Sequence, residues 1–474
     1  MGTDCGRKSR QQAGKYEADP ERRNRRGRSE HYPLADDLRQ VPVHEVVGSS
    51  MRRVWCVLGI AAVAALSVGS DRVAVMDATS QGLPSVRGDG NPASASSLSG
   101  TLEPLPPMSA RRAAHTASSL PDGRVLVAGG FVAMATSSQA HQSNDAEIFL
   151  PNEKRFAPLP RMVMSRQSHT ATLLTNGTVL LAGGYDESGE VTPSAEIFDP
   201  KSDTFAPVGS MLHARAGHVA VQLDDGRVLL VGGVGPNWSF LSSAEIYDPA
   251  TGRFSVTGGM ETARESHVAV RLEDGRVLVT GGHRGRRSDI EIFRSSEIYD
   301  PSAKCFRPAA SMNIPRHKHD AVLLPDGRIL VTGGADERDS QGVYDSTELF
   351  DPDAEIFTLG PAMQLGHYKH AGTSWVLPNG NVLVSGGAES AELFDVVHGT
   401  FRVVDGAAHL SGQFSASALL EGGAVLVSGG YGGGTGPRDE AWLYRPPVTR
   451  TSPVRTKTST EVTGPPQSFR TASR

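Results

Sequence analysis

The chain has 474 residues, a formal net charge of −5, and 38% hydrophobic residues. This length is sufficient for two or three domains, and the mildly acidic balance argues against a nucleic-acid-binding protein. We therefore expect no nucleic-acid partner.

Both ends of the chain are polar and lack apolar periodicity. Residues 1–50 are rich in arginine, residues 71–100 in serine, glycine and proline, and residues 447–474 in threonine, serine and proline. Such segments cannot bury enough apolar surface to offset chain entropy. The sequence predicts a disordered or mis-called extension at 1–50, a flexible linker at 71–100 and a disordered tail at 447–474.

An apolar segment, "MRRVWCVLGIAAVAALSVGS", lies between the extension and the linker, at 51–70. Two arginines, an apolar run at 54–68 and small residues at its end are typical of a secretory signal peptide, with Met51 as the candidate true start. The alternative is an uncleaved membrane anchor through 54–68, although a span needs about 20 apolar residues. Both interpretations predict an extracytoplasmic protein, whether secreted, periplasmic or at the cell surface.

Between these ends, a glycine pair recurs every 43 to 54 residues. A period near 50 residues is typical of propeller blades. Most of the pairs close a run such as "DGRVLVTGG" at 274–282, in which Asp-Gly between two apolar runs favours a β-hairpin. The pairs begin at Gly129, Gly183, Gly232, Gly281, Gly333, Gly386 and Gly429.

Two further strands follow each hairpin. Segments such as "AEIYDP" at 244–249 alternate apolar and polar residues before an Asp-Pro turn, and segments such as "TFAPVGSM" at 204–211 come next. The last repeat has a third strand, "EAWLYRP" at 440–446, but the frame of its fourth strand appears instead at the other end, in "TLEPLPPM" at 101–108. The prediction is an all-β, seven-bladed propeller over 101–446, with four antiparallel strands per blade and the last blade closed by the N-terminal strand. Six blades plus a loose hairpin is the alternative.

These segments resemble the kelch repeat over roughly residues 101–446. The resemblance rests on the glycine pair, the "AEIYDP" strand, the aromatic residue after it and a following Arg-x-x-His motif. The fourth-strand aromatic, often Trp in the family, is here Phe or absent, and Ser415 replaces the histidine of the last repeat. The resemblance implies protein binding or, in secreted galactose oxidase-like relatives, an enzyme with copper and a tyrosine radical.

Histidine, arginine and glutamate recur at fixed stations of the repeat. A residue repeated in nearly every blade favours a scaffold contact to backbone or to the neighbouring blade. The alternative is a ring of imidazoles at the channel mouth that binds a metal ion or another ligand. The histidines are His115, His169, His218, His267, His319 and His370; Arg112, Arg166, Arg215, Arg264 and Arg316 precede the first five by three residues, and the glutamates are Glu147, Glu196, Glu245, Glu297, Glu348 and Glu392.

The loops between second and third strands differ strongly from one another, whereas the turns on the opposite face are nearly uniform. Variable loops on a rigid scaffold usually carry binding specificity, and aromatic and arginine side chains are enriched at binding hot spots. Phe131 and Phe293 are further aromatic candidates, and the arginines predict an acidic protein or an anionic glycan as ligand. The ligand-binding candidates are Tyr185, Trp238, Phe240, His283, Arg284, Arg286, Arg287, Tyr344 and Tyr431.

The copper chemistry of galactose oxidase-like relatives implies an adjacent Tyr-His pair and a cysteine joined to a tyrosine. Residues 101–446 contain no Tyr-His dipeptide, the nearest segment being "HYKH" at 367–370, and Cys305 is predicted at a three–four turn on the opposite face. We therefore predict no catalytic residue, metal or cofactor, and a monomeric module that binds a protein or a carbohydrate. The alternative is a secreted oxidoreductase or other enzyme at the channel mouth, with copper as cofactor.

Overall fold

A computed structural model of the chain describes residues 99–133, 140–406, 410, 412–432 and 436–447. The predictions for 1–50, 51–70, nearly all of 71–100 and the tail after residue 447 lie outside these ranges. Within them, no helix is both long and apolar enough to cross a membrane. The described secondary structure is β apart from short 3-10 turns at Pro236–Trp238, Arg287–Asp289, Asp339–Gln341 and Glu421–Gly423.

Six sheets of four antiparallel strands follow one another along the chain, which confirms the predicted all-β class. In each sheet the strands are neighbours in chain order, as successive hairpins require. Sheet 1 comprises Thr116–Ser119, Val125–Ala128, Ala146–Leu150 and Arg155–Pro158. Sheet 2 comprises Thr170–Leu173, Val179–Ala182, Ala195–Asp199 and Thr204–Pro207. Sheet 3 comprises Val219–Gln222, Val228–Val231, Ala244–Asp248 and Arg253–Val256. Sheet 4 comprises Val268–Arg271, Val277–Thr280, Ser296–Asp300 and Cys305–Ala309. Sheet 5 comprises Asp320–Leu323, Ile329–Thr332, Thr347–Asp351 and Ile356–Leu359. Sheet 6 comprises Ser374–Val376, Val382–Val384, Glu392–Asp395 and Thr400–Val403.

Sheet 7 joins the two ends of the described region. Its strands Ala416–Leu419, Val425–Ser428 and Ala441–Arg445 are followed by Thr101–Pro104, which pairs antiparallel with Ala441–Arg445. A short fifth strand, Asp405–Gly406, pairs parallel with Thr101–Pro104. Two small sheets lie in the loops and comprise Arg112–Ala113, Phe131–Ala133 and Ala140–Gln142, and His283–Arg284 and Glu291–Ile292.

The core lies between neighbouring sheets. The second strand of every sheet is wholly buried, as in Val228–Val231, because it is flanked by strands on both sides and by sheets on both faces. An aromatic residue of the third strand packs on a phenylalanine of the fourth, with ring centroids 4.9 Å apart for Tyr247 and Phe254. Burying one such side chain contributes about 1.5–3 kcal/mol. The aromatic pair thus explains the recurring Phe of the fourth strand.

Candidate functional site on the loop face

The repeated arginine and glutamate form a buried ion pair in sheets 1 to 5. In sheet 3, Arg215 donates to the Glu245 carboxylate at 2.9 Å and to the carbonyl oxygen of Gly232 at 2.8 Å. Glu245 also accepts the backbone N–H groups of Leu212 and His213. These charges are therefore satisfied by the scaffold. Equivalent pairs are Arg112–Glu147, Arg166–Glu196, Arg264–Glu297, Arg316–Glu348 and, with histidine in place of arginine, His367–Glu392.

The repeated histidines lie between sheets, with relative exposures of 0 to 6%. The His169 imidazole bonds to the Thr116 hydroxyl of the preceding sheet at 3.1 Å, and His218 bonds likewise to Thr170 at 3.0 Å. His370 donates to the carbonyl oxygen of Thr332 at 3.0 Å. Burial, aided by the nearby Arg166 charge, lowers the pKa of His169 to about 3, so the imidazole is neutral.

The first glycine of each pair explains why histidine and glycine recur together. A Cβ on Gly232 would lie 2.7 Å from Cε1 of His267 and 2.8 Å from the Arg264 carbonyl oxygen. Gly232 also has φ of +66°, which side chains with a Cβ rarely adopt. The imidazole of one sheet thus packs against the glycine of the sheet before it. This position of the histidines between sheets differs from the predicted alternative, a ring of imidazoles at the channel mouth. Within the described ranges, no group of three or more His, Cys, Asp or Glu side chains is arranged to hold a metal ion.

The two residues between the arginine and the histidine face the variable loops instead. The first of them pairs with the residue that follows the glycine pair, as in Glu265 with His283 and Gln413 with Tyr431. The second has a left-handed backbone in every sheet, for example φ of 56° at Lys369. Six backbone N–H to carbonyl hydrogen bonds connect these second residues from sheet to sheet: Ala114 to Phe414, Phe414 to Lys369, Lys369 to Lys318, Lys318 to Ser266, Gly217 to Ser168, and Ser168 to Ala114.

A buried amine occupies this position in sheet 6. Lys369 is 3% exposed, and its Nζ donates to the Tyr431 hydroxyl at 2.8 Å and to Oε1 of Gln413 at 3.2 Å. The ring centroids of Tyr368, Phe414 and Tyr431 lie 4.8, 5.1 and 5.2 Å from Nζ. Lys369, Tyr368, Gln413, Phe414, Tyr431 and the neighbouring Lys318 are called here the Lys369 cluster.

The two lysines of the cluster have different electrostatic environments. Lys318 donates to the Asp339 carboxylate at 2.9 Å and to the Tyr368 hydroxyl at 3.1 Å. Both described acceptors of Lys369, in contrast, are neutral. Burial and the positive charge of Lys318 lower the pKa of Lys369 to about 7, against the opposing effect of Asp339. Burial also raises the pKa of Tyr431, so its phenol keeps its proton at neutral pH.

A row of polar contacts continues from Asp339 across sheets 5 and 4. Nε2 of His317 lies 3.8 Å from Asp339, and Nδ1 of His317 lies 3.3 Å from Nδ1 of His283. Nε2 of His283 lies 3.7 Å from Glu265, which accepts a hydrogen bond from Arg286 at 3.2 Å. Burial, followed by the Lys318 charge, lowers the pKa of His317 to about 3, and burial raises the pKa of Glu265.

The row ends on a partly exposed tryptophan. The guanidinium carbon of Arg286 lies 3.5 Å from the ring centroid of Trp238. The ring centroids of Tyr185 and Trp238 are 5.9 Å apart. Trp238 is 38% exposed. Asn237 and Trp238 have φ of 56° and 59°, which for a bulky residue is strained.

The structure therefore brings together some of the predicted ligand-binding residues. Tyr185, Trp238, His283 and Arg286 lie in one row of contacts, and Tyr431 lies in the Lys369 cluster. Phe240 joins the row through His283, at a ring-centroid distance of 5.9 Å.

Other predicted residues are placed differently. Phe293, predicted to be exposed, is 8% exposed because Arg264 and Arg284 lie over its ring at 5.4 and 5.8 Å. His283, predicted to be a ligand-binding residue on the variable loops, is 6% exposed because it pairs with Glu265.

The predicted basic cluster is largely neutralised. Arg284 pairs with Glu291 at 2.7 Å, and Arg286 pairs with Glu265, so neither guanidinium is a free positive charge for an anionic ligand. The side chain of Arg287 lies outside the described atoms. Tyr344 is half-buried and lies 5.5 Å from the Arg316 guanidinium, outside the row.

The sequence did contain a signal for the Lys369 cluster. The residues between arginine and histidine are Ala-Ala, Gln-Ser, Ala-Gly, Glu-Ser and His-Lys in sheets 1 to 5, and sheet 6 has Tyr-Lys before its histidine. Lysine thus occurs at this station in two consecutive repeats, at Lys318 and Lys369.

Comparisons with known proteins agree with this architecture. The kelch motif model matches residues 168–212 and 214–261, which correspond to sheet 2 and sheet 3 with their following loops. These matches identify kelch motifs in two of the recurring four-stranded sheets, and the other sheets of the described region are consistent with a kelch-repeat propeller. No curated protein matches the sequence.

Two solved structures align with part of this chain at low sequence identity. The structure of YjhT is 14% identical with a TM-score of 0.49, and the alignment covers 64% of this chain and 99% of that protein. A fungal alcohol oxidase of the AA5 family, in complex with copper, is 19% identical with a TM-score of 0.46, and the alignment covers 70% of this chain and 62% of the oxidase.

Proposed function

We propose that the protein is an exported, seven-bladed kelch propeller that binds a protein partner through the face carrying its variable loops. Kelch propellers generally mediate protein interactions, which favours a protein over a carbohydrate. Export rests on the signal-like segment at 51–70. The monomeric state remains a prediction.

Contacts between sheets support seven blades arranged in a ring. The Trp375 indole N–H of sheet 6 donates to the Ser417 hydroxyl of sheet 7 at 2.8 Å, and the Ser119 hydroxyl of sheet 1 donates to the Leu419 carbonyl oxygen of sheet 7 at 2.6 Å. Sheet 7 thus contacts both the first and the sixth sheet, and Thr101–Pro104 supplies its fourth strand. This arrangement favours seven blades over six blades with a loose hairpin.

The observation that carries the proposed binding function is the strained Trp238 stacked under Arg286. Strained backbone conformations persist only where the surrounding structure maintains them, and they are found most often at functional sites. Tryptophan and arginine are the side chains that most often dominate binding energy. Their position at the end of a row of buried polar contacts makes Trp238 a preorganised anchor for a partner.

A capture experiment with paired variants tests this proposal. The full chain, immobilised and exposed to extracellular extract of the source cells, is compared with Trp238→Ala and Arg286→Ala, and the captured proteins are quantified by mass spectrometry. Lys201→Ala serves as the matched control, because Lys201 is exposed in a turn on the opposite face. We expect partners that are lost with the first two variants and kept with the third.

The opposite pattern contradicts the proposal. Partners captured equally by Trp238→Ala, or lost with Lys201→Ala, would place binding elsewhere. Binding to glycan arrays that depends on Trp238, without any protein partner, would replace the proposed partner by a carbohydrate. Circular dichroism of each variant shows that the fold is intact.

The copper enzyme is the alternative, and the described donors in "HYKH" do not fit it. His367 uses one ring nitrogen for the Gly386 carbonyl oxygen and the other for Glu392, at 2.6 and 3.1 Å. His370 bonds to Thr332, and the Tyr368 hydroxyl accepts from Lys318. These side chains are engaged within the scaffold and the Lys369 cluster, so we derive no copper chemistry from them.

A further inference from the structure

The Lys369 cluster contains a chemical group that partner binding does not require. A buried lysine ordinarily pairs with a carboxylate, as Lys318 does with Asp339 at 2.9 Å. Among the described residues, Lys369 instead donates to a phenol and an amide oxygen and to no carboxylate, and three aromatic rings surround its Nζ. We infer that Lys369 is a reactive amine that forms an imine with a small aldehyde or ketone.

Three features of the geometry favour the neutral amine, whereas the aromatic faces around Nζ oppose them by attracting the ammonium form. Burial removes water from the ammonium form, the two acceptors carry no negative charge, and Lys318 brings a second positive charge to the same tyrosine ring. The ring centroid of Tyr368 lies 4.8 Å from Nζ of Lys369 and 5.3 Å from Nζ of Lys318. Desolvation or an adjacent cation is a recognised means of activating a lysine nucleophile.

The expected protonation agrees with this geometry. With a pKa of about 7, roughly half of Lys369 is unprotonated at neutral pH. An ordinary lysine with a pKa near 10.4 is less than about 0.1% unprotonated at the same pH. The difference in available nucleophile is therefore about a thousandfold, before access is considered.

The reaction conserves atoms and electrons without another reactant. The Nζ lone pair forms a bond to the carbonyl carbon while the carbonyl π electrons move to oxygen. A proton moves from nitrogen to that oxygen, and the resulting carbinolamine loses water to give a C=N bond. Tyr431, with its hydroxyl 2.8 Å from Nζ, holds the proton that can be given to the departing hydroxyl and recovered from nitrogen.

Reductive trapping on the intact chain tests the inference. The full-length protein is incubated with glycolaldehyde and sodium cyanoborohydride between pH 5.5 and 9.5, and peptides are quantified by mass spectrometry. The exposed lysines Lys154, Lys201 and Lys304 are internal references. At pH 7 we expect labelling of Lys369 to be at least about tenfold faster than that of the references, with a midpoint of its pH dependence near 7.

Two variants separate reactivity from simple exposure. Lys318→Met removes the neighbouring positive charge and is expected to shift the midpoint for Lys369 to higher pH while labelling persists. Tyr431→Phe keeps the ring but removes the hydroxyl and is expected to slow labelling at pH 7. Labelling of wild-type Lys369 no faster than that of Lys201, or a midpoint near 10, overturns the inference whatever the variants do. The trapping result is independent of whether a protein partner is found.

Discussion

The ends and the middle of the Arg-x-x-His segments have opposite roles although they are adjacent in sequence. Arginine and histidine are repeated, fully or almost fully buried, and bonded to glycine, glutamate and the neighbouring sheet. The two residues between them differ from sheet to sheet and carry the polar contacts of the loop face. Contacts of the scaffold and contacts of the loop face are therefore encoded within the same four residues. Substitutions at each position test this division.

Removing a buried arginine should have the largest effect. Arg215→Ala leaves the Glu245 carboxylate buried without its guanidinium partner, and breaking such a pair costs about 3–5 kcal/mol. We expect urea denaturation to show that the free energy of unfolding of this variant is lower than that of the wild type by this amount. Arg284→Ala is the matched control, because it breaks an exposed ion pair with Glu291 and should change stability by less than about 1 kcal/mol. Equal losses in the two variants would remove the distinction between scaffold and surface arginines.

A methyl group at the first glycine of a pair should have the next largest effect. Gly232→Ala places a Cβ against the imidazole of His267 and the carbonyl oxygen of Arg264. Gly252→Ala is a close control, because Gly252 has φ of +65° against +66° for Gly232, but nothing lies within 4 Å of its Cβ position. Both variants carry the backbone cost, so the clash should make Gly232→Ala less stable than Gly252→Ala by about 1–3 kcal/mol. Similar melting temperatures for the pair would show that the imidazole moves away freely.

Lys369, at the middle position of sheet 6, should make the free energy of unfolding depend on pH. Because the pKa of Lys369 is about 7 in the folded chain and near 10.4 when unfolded, the unfolded chain holds more protons between these values. The free energy of unfolding should therefore rise with pH in this window, by at most about 1.4 kcal/mol per unit. Below pH 7 the destabilising effect is fully present.

Lys369→Met should remove this contribution, and Lys201→Met should not. The measurement is urea unfolding at pH 6, 7, 8 and 9, with the wild-type curve subtracted from that of each variant. A difference for Lys369→Met that stays constant from pH 7 to 9 would contradict the shifted pKa.

Strands and scaffold residues could be predicted from sequence because each repeats at a fixed station. The run "RVLVTGG" became the strand Val277–Thr280 followed by its glycine pair, and "TFAPVGSM" became Thr204–Pro207 followed by the buried Met211. A residue that every blade requires recurs at the same station, so comparison of the seven repeats identifies it even where one segment alone is ambiguous.

The candidate site could be predicted only in part, because its residues are the ones that do not repeat. Trp238 and Arg286 were found as side chains typical of binding surfaces, but their stacking joins loops of different sheets. Lys369 was not among the predicted site residues, since its burial depends on Tyr431 and Gln413 from the following sheet. Such proximity follows from the order of sheets and not from any local pattern.

The hydrogen bonds that join Ala114, Phe414, Lys369 and Lys318 from sheet to sheet are made by backbone atoms alone. Their left-handed backbone tolerates alanine, phenylalanine and lysine at the same station, and the side chain at each station can change without altering the link to its neighbours. Substitutions at this station can therefore alter the proposed binding surface in one sheet while the backbone connection between sheets is kept.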